Sequence, residues 1–141
     1  LEVKDLAAGV ATAEYIRAQQ LAGDAFLLCD RSECEAIRSA VPDAPIMTRP
    51  REPEEVAGAL GYDPPPKLVH VDATEAFLAP GVTDAIHAAG AKVYANAFTN
   101  ADAIALLRRE GGAYVELYES GLDVVQTEFP HWALLALGRW I

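Results

Sequence analysis

A carboxylate and an amine lie two residues apart near the start of the chain, at Glu2 and Lys4. They belong to a short strand-like run, residues 1–4, and side chains two apart on a strand point to the same side. A glutamate in such a position can ligate a hard divalent cation, and a lysine beside it can neutralise a phosphate oxygen as a point charge. On spacing alone, the simpler interpretation is a terminal strand that carries two solvated charges.

The three histidines give no stronger indication of catalysis. His70 lies in an apolar strand-like run, His87 in a helical segment and His131 at the start of a helix. None stands at ligand spacing from a carboxylate or a second histidine, so we interpret all three as structural. The chain also has no glycine-rich phosphate loop and no serine in a nucleophile-elbow context. The sequence therefore assigns no catalytic residue to this chain.

The two cysteines, Cys29 and Cys34, are too few for a disulfide framework. Cys29 ends an apolar strand-like run, and Cys34 shares a helical face with Ile37 and Val41. These apolar surroundings predict two buried free thiols rather than a metal or redox site.

Short β-rich runs alternate with helix-period segments along the chain. The predicted strands are residues 1–4, 25–30, 45–48, 67–72, 92–98 and 123–127. The predicted helices are residues 12–22, 54–60, 82–89, 101–109, 113–120 and 130–140. A further short helix is predicted to begin at a capping box of Ser32 and Glu35. Strands that are apolar throughout and separated by helices indicate a parallel sheet with right-handed crossovers.

The fold class is therefore α/β, in a single domain of residues 1–141. Two architectures fit, an open doubly wound sheet or an arc of a (β/α)8 barrel. The barrel would be partial, because a complete one takes about 250 residues. In both, ligands bind at the carboxyl ends of the strands. The polar residues expected there are Glu2, Lys4, Asp30, Thr48, Arg49, Asp72, Asn96, Thr127 and Glu128.

Composition excludes several classes of partner. With 52% hydrophobic residues, the chain has enough apolar material for a real core. Its net charge of −10 disfavours general binding to nucleic acid or to an anionic membrane surface. No apolar run approaches the roughly 18 to 20 residues of a membrane span. An anionic small substrate would need a local cation or a metal to hold it.

Four segments, in this order, resemble those of the glycerophosphodiester phosphodiesterase family. They read LEVKD, AFLLCDRSECEAIRSAVPDAPIM, HAAGAKVYANAFTNADAIALLRREG and ESGLDVVQTEFPHWALLAL. The first resembles the family's Glu-x-Lys strand, and the last resembles its closing Thr-Asp-x-Pro pattern and final helix. The resemblance covers nearly all 141 residues.

The resemblance implies strands four to eight of a (β/α)8 TIM barrel, with parallel strands inside and helices outside. It also implies a hydrolase of lipid metabolism, which cleaves a glycerophosphodiester to glycerol phosphate and an alcohol with Mg²⁺ or Ca²⁺. Glu2 matches a metal-ligating carboxylate of the family. Lys4, Asn96 and Phe98 match positions beside the bound substrate.

The chain departs from the family pattern in two ways. Thr127 and Pro130 match the closing signature, but Glu128 replaces its aspartate. The family's His-Arg-Gly motif, two further metal carboxylates and second catalytic histidine have no counterpart here. One carboxylate cannot hold Mg²⁺ or Ca²⁺ tightly, so the chain alone is expected to be inactive.

An incomplete barrel would expose two sheet edges and its inner apolar face. The chain is therefore expected to need a complement, which is an N-terminal barrel segment, a separate chain or a second copy. A non-catalytic half-barrel or degenerate relative, which binds a phosphorylated ligand or a protein, is the alternative. A third hypothesis is an unrelated open α/β binding domain, which would be a stable monomer.

Overall fold

The computed structural model describes residues 1–98 and 100–139. Its centre is a five-stranded sheet in which all neighbouring strands are parallel. The strands are β1 (Leu27–Cys29), β2 (Ile46–Thr48), β3 (Leu68–Val71), β4 (Lys92–Asn96) and β5 (Val124–Gln126). They lie side by side in chain order. The predicted α/β class with a parallel sheet is confirmed, and the order is consistent with an arc of a barrel.

Helices connect the strands. They are α1 (Leu6–Ala18), α2 (Arg31–Ala40), α3 (Val56–Leu60) after a 3₁₀ turn at Pro53–Glu55, α4 (Pro80–Ala88), α5 (Ala101–Arg108), α6 (Gly112–Glu119) and α7 (Pro130–Ala136). The predicted helix at 12–22 in fact begins at Leu6, because Asp5 caps it by accepting the Ala8 N–H at 2.9 Å. The predicted helix at 130–140 ends at Ala136, and residue 140 lies outside the described residues.

The hydrophobic core lies on one side of the sheet. Side chains alternate between the two faces of a strand, and the strand residues in the hydrophobic clusters all share one face by register. In β3 these residues are Val69 and Val71, and in β4 they are Val93 and Ala95. They pack with buried residues of the helices, such as Ile86 of α4. The helices therefore cover one face of the sheet.

A further segment pairs with the edge of the sheet before β1. Glu2 forms a parallel bridge with Leu28, and the Val3 N–H donates to the Leu28 carbonyl at 2.9 Å. The predicted strand at 1–4 is thus a single bridge rather than a full strand. Together with β1–β5 it gives six parallel segments, whereas strands four to eight of a barrel would be five.

The start of α2 differs from the prediction. Asp30 is the N-cap, and its carboxylate accepts the Glu33 N–H at 3.1 Å while the Glu33 carboxylate accepts the Asp30 N–H at 2.9 Å. The capping box of Ser32 and Glu35 was wrong by two residues, because an aspartate caps a helix as well as a serine does. Ser32 instead donates to Asp30 at 3.0 Å.

Cys29 and Cys34 form a disulfide. Both are buried, as predicted, but the prediction of free thiols was wrong. Cys29 ends β1 and Cys34 lies in the first turns of α2, which brings their Cα atoms to 5.5 Å. This separation lies within the range that a disulfide spans.

Loss of this disulfide is expected to lower the free energy of unfolding by about 2 kcal/mol, the chain-entropy value for so short a loop. Urea unfolding with and without a thiol reductant measures the change. In the double variant Cys29→Ala/Cys34→Ala, the reductant should have no effect. If complete reduction left the urea midpoint of the unaltered protein unchanged, the expectation would be contradicted.

Candidate functional site

The sheet face that the helices leave uncovered is polar. Leu28 of β1 and Met47 of β2 are paired in the sheet, and their side chains point to this face. The residues of the other strands that are in register with them point to the same face. Its polar members, together with the residues that follow β2 and β3, are Glu2, Lys4, Arg49, His70, Asp72, Tyr94, Asn96 and Gln126. We call this set the polar face. The expected inner apolar face was wrong toward the carboxyl edge of β3–β5, where nearly every inward position carries a polar group. Toward the amino edge the face remains apolar, at Leu28, Met47 and Leu68.

Glu2 and Lys4 contact each other on this face. The Lys4 Nζ atom lies 2.7 Å from the Glu2 carboxylate, and the side chains are 75% and 53% exposed, respectively. The hydrogen bond and charge of Lys4 lower the pKa of Glu2. The spacing correctly predicted that the two groups share a side. Their roles toward a cation and a phosphate stay predictions.

Arg49 and Asp72 bridge the carboxyl ends of β2 and β3. The Arg49 Nη2 atom lies 3.1 Å from the Asp72 carboxylate. The two side chains are 28% and 50% exposed, respectively, so this ion pair links the two strand ends while partly shielded from water. It also leaves the Asp72 carboxylate neutralised by the chain itself.

His70 is buried in the same face. It is 2% exposed, and its ring meets the ring of Tyr94 edge to face, with centroids 5.0 Å apart. Burial, together with the positive charge of Arg49, lowers the pKa of His70 to about 4. The imidazole is therefore neutral at neutral pH. Its Nδ1 atom is buried without a hydrogen-bond partner among the described residues.

The other two histidines lie elsewhere. The His87 Nε2 atom is 2.9 Å from the Asp123 carboxylate, which also accepts the Val93 N–H at 2.8 Å. This contact ties α4 to the amino ends of β4 and β5, away from the polar face. His131 lies in α7, next to the rings of Phe129 and Trp132.

Asn96, at the end of β4, belongs to a hydrogen-bonded group with Tyr94 and Gln126. The Tyr94 hydroxyl donates to the Asn96 side-chain oxygen at 3.3 Å and makes a short contact with the Gln126 side chain. Burial raises the pKa of Tyr94. Phe98, the other predicted substrate residue, lies in the turn after β4 and is 40% exposed. Sequence reasoning missed Tyr94 and Gln126, although both lie in register on the polar face.

A buried aspartate fixes the turn that follows β5. Asp102 of α5 accepts the Tyr114 hydroxyl at 2.7 Å, the Thr127 hydroxyl at 2.6 Å and the Glu128 N–H at 2.8 Å. Burial raises the pKa of Tyr114 to about 12. Thr127 also accepts the Phe129 N–H at 2.9 Å. Thr127 thus holds the turn before α7, and Glu128 contributes its backbone N–H while its side chain is exposed.

The carboxylates of the described residues are dispersed rather than clustered. Within residues 1–98 and 100–139, no three or more His, Cys, Asp or Glu side chains are grouped to hold a metal ion. Glu2 is bound by Lys4, and Asp72 is bound by Arg49. A cation at Glu2 would therefore need ligands from outside these residues, because Mg²⁺ and Ca²⁺ require six or more oxygens.

Comparison with protein-family models, curated proteins and solved structures found no match to this chain. In the described part of the chain, no helix is both long and apolar enough to cross a membrane. The polar face and the order of the sequence motifs are therefore the features of this chain that bear on its function.

Proposed function

We propose that the chain is the C-terminal part of a glycerophosphodiester phosphodiesterase-like (β/α)8 barrel. Its polar face would form one side of the substrate site. The remaining barrel strands, in an N-terminal segment of the parent protein, would cover this face and close the ring. The parent protein would hydrolyse a glycerophosphodiester to glycerol phosphate and an alcohol.

The observation that carries the proposal is the division of the sheet into a helix-covered face and a polar face. In a doubly wound sheet, helices pack on both faces. Here the apolar strand residues share one face, and the strands follow chain order. An inner face lined with polar groups toward the carboxyl edge is what a barrel active site requires.

The polar face supplies binding groups for such a substrate. Lys4 and Arg49 offer positive charge to the phosphate oxygens, and Arg49 has guanidinium donors beyond the one used on Asp72. Asn96 and Tyr94 offer hydrogen bonds to the hydroxyl groups of the glycerol moiety. No general acid or base is assigned in this chain, so those groups would come from the N-terminal segment, with the further ligands of the cation.

The test uses the longer parent protein and measures release of glycerol phosphate from glycerophosphocholine with Mg²⁺ or Ca²⁺. Glu2→Ala is expected to lower the rate by at least about a hundredfold, because loss of a metal ligand removes several kcal/mol of transition-state stabilisation. Glu14→Ala, at an exposed glutamate of α1, is the matched control and should leave the rate unchanged. An unchanged rate in Glu2→Ala would remove Glu2 from the proposed metal site.

A degenerate, non-catalytic relative is the second candidate. The observation that favours it is that both carboxylates of the polar face are neutralised by cations of the same chain. This candidate predicts that the parent protein binds glycerol phosphate without turnover and without need of a divalent cation. If a metal chelator leaves the binding of glycerol phosphate unchanged and the parent protein releases no product, the non-catalytic candidate is supported.

A further inference from the structure

A cavity of about 380 Å³ opens between the β1–α2 turn and the segment from β2 to α3. Three arginines line it, Arg31, Arg49 and Arg51, together with Thr48 and Tyr62. Thr48 is in register with Cys29 and Val69, so its side chain lies on the helix-covered side of the sheet. The cavity is therefore distinct from the polar face, and Arg49 is the residue that borders both.

Two buried donors at this cavity have no acceptor among the described residues. The Thr48 hydroxyl is one of them, and Thr48 is 3% exposed. The Nε atom of Arg49 is the other, although the Nη2 atom of the same guanidinium binds Asp72. Burial of a donor without a partner costs free energy, and native proteins rarely leave such groups unmatched. Both atoms have almost no solvent-accessible surface, so a ligand that brings acceptor oxygens would satisfy them after the Thr48 and Arg49 side chains turn toward the cavity.

The three carboxylates that line the cavity already have partners. Glu35 binds the Arg31 Nε atom at 3.0 Å, and Glu55 accepts the Arg51 N–H at 2.7 Å. Asp30 caps α2. Most guanidinium donors of the three arginines therefore remain for a ligand, since each guanidinium carries five N–H groups.

We propose that this cavity binds the phosphate group of a small phosphorylated molecule. Guanidinium groups match the oxygens of phosphate with paired hydrogen bonds. The cavity volume falls within the range of small-molecule sites, about 300–1,000 Å³. The proposal does not depend on the proposed hydrolysis, because residues of this chain alone form the cavity.

The experiment titrates inorganic phosphate, glycerol phosphate and malonate into the protein at low ionic strength, with isothermal calorimetry as the readout. Saturable binding of one phosphate is expected. Tighter binding of glycerol phosphate would identify a phosphomonoester as the ligand, and equal binding would identify free phosphate. Tighter binding of malonate than of either would assign the cavity to carboxylates and overturn the proposal.

Thr48→Val separates ligand binding from stability. It should weaken phosphate binding about tenfold, since one hydrogen bond to a charged group is lost. It should leave the unfolding midpoint unchanged or higher, because the lost hydroxyl has no partner in the protein. Thr48→Ser should restore the binding. Phosphate binding in Thr48→Val equal to that of the unaltered protein would contradict the proposal.

Arg51→Ala tests the charge and should also weaken phosphate binding about tenfold. Arg17→Ala, at a half-exposed arginine of α1, is its matched control and should have no effect. Equal losses in the two variants would show general attraction by surface charge rather than a site. Failure to reach saturation with millimolar phosphate would overturn the proposal, and it would leave the hydrolase test on the parent protein unaffected.

Discussion

Replacement of Asp102 by alanine is expected to lower the free energy of unfolding by about 3–5 kcal/mol. The substitution removes the acceptor of three hydrogen bonds, from the Tyr114 hydroxyl, the Thr127 hydroxyl and the Glu128 N–H. Tyr114 is fully buried, so water does not replace the lost acceptor there. The cost should therefore approach that of an unpartnered buried group rather than that of a surface contact.

Urea unfolding of purified variants measures this loss. Asp84→Ala, at an exposed aspartate of α4, is the matched control and should change the free energy of unfolding by less than about 0.5 kcal/mol. Tyr114→Phe removes one of the three bonds and should cost about 1–2 kcal/mol. A loss below about 1 kcal/mol in Asp102→Ala would show that the network does not hold the fold.

A double variant tests whether the bonds act together. In Asp102→Ala/Tyr114→Phe the two costs should not add, because the phenylalanine removes the hydroxyl that the alanine leaves unpartnered. Simple addition would mean that the Tyr114 hydroxyl finds another acceptor when Asp102 is absent. The Thr127 hydroxyl, whose oxygen lies 3.1 Å from the Tyr114 oxygen, would be that acceptor.

The sequence predicted the order and type of the elements well. Each strand of the sheet lies within a predicted interval, as β4, at 92–96, lies within 92–98. This success has a physical cause, since buried parallel strands are short apolar runs bounded by turn residues. The predicted start of the helix at 101–109 is also correct, because the Asn100 side chain caps α5 by accepting the Ala101 N–H.

Features that depend on distance in space were not available from the sequence. The disulfide of Cys29 and Cys34 depends on the angle at which α2 leaves β1, and apolar surroundings fit a buried thiol equally well. The Asp102 network joins residues 25 positions apart, Asp102 and Thr127. No local pattern marks such a pair.

The candidate site was predicted in part. The period of two in a strand was enough to place Glu2 and Lys4 on one side. The Arg49–Asp72 pair needed the register of β2 against β3, which the sequence does not contain. The same period of two, applied within β3, separates His70 from its apolar neighbours and would have placed it on the face opposite the core.

A fall in pH from about 6.5 to about 4 is expected to remove about 3 kcal/mol from the free energy of unfolding through His70. The pKa of His70 is about 4 in the folded protein and about 6.5 in the unfolded chain. Between these values the unfolded chain binds a proton that the folded protein does not bind, so stability falls as the pH falls. Above pH 6.5 this group makes no contribution to the pH dependence.

His70→Leu should flatten the stability curve in this window, since leucine fills a similar volume and binds no proton. Urea unfolding at several pH values measures the curve, and His131→Gln, at an exposed histidine, controls for the loss of one histidine. At neutral pH a neutral His70 adds no positive charge to the polar face, so attraction of phosphate there depends on Lys4 and Arg49. If His70→Leu kept the full acid sensitivity of the unaltered protein, the titrating group would lie elsewhere and His70 could be charged beside the ligand.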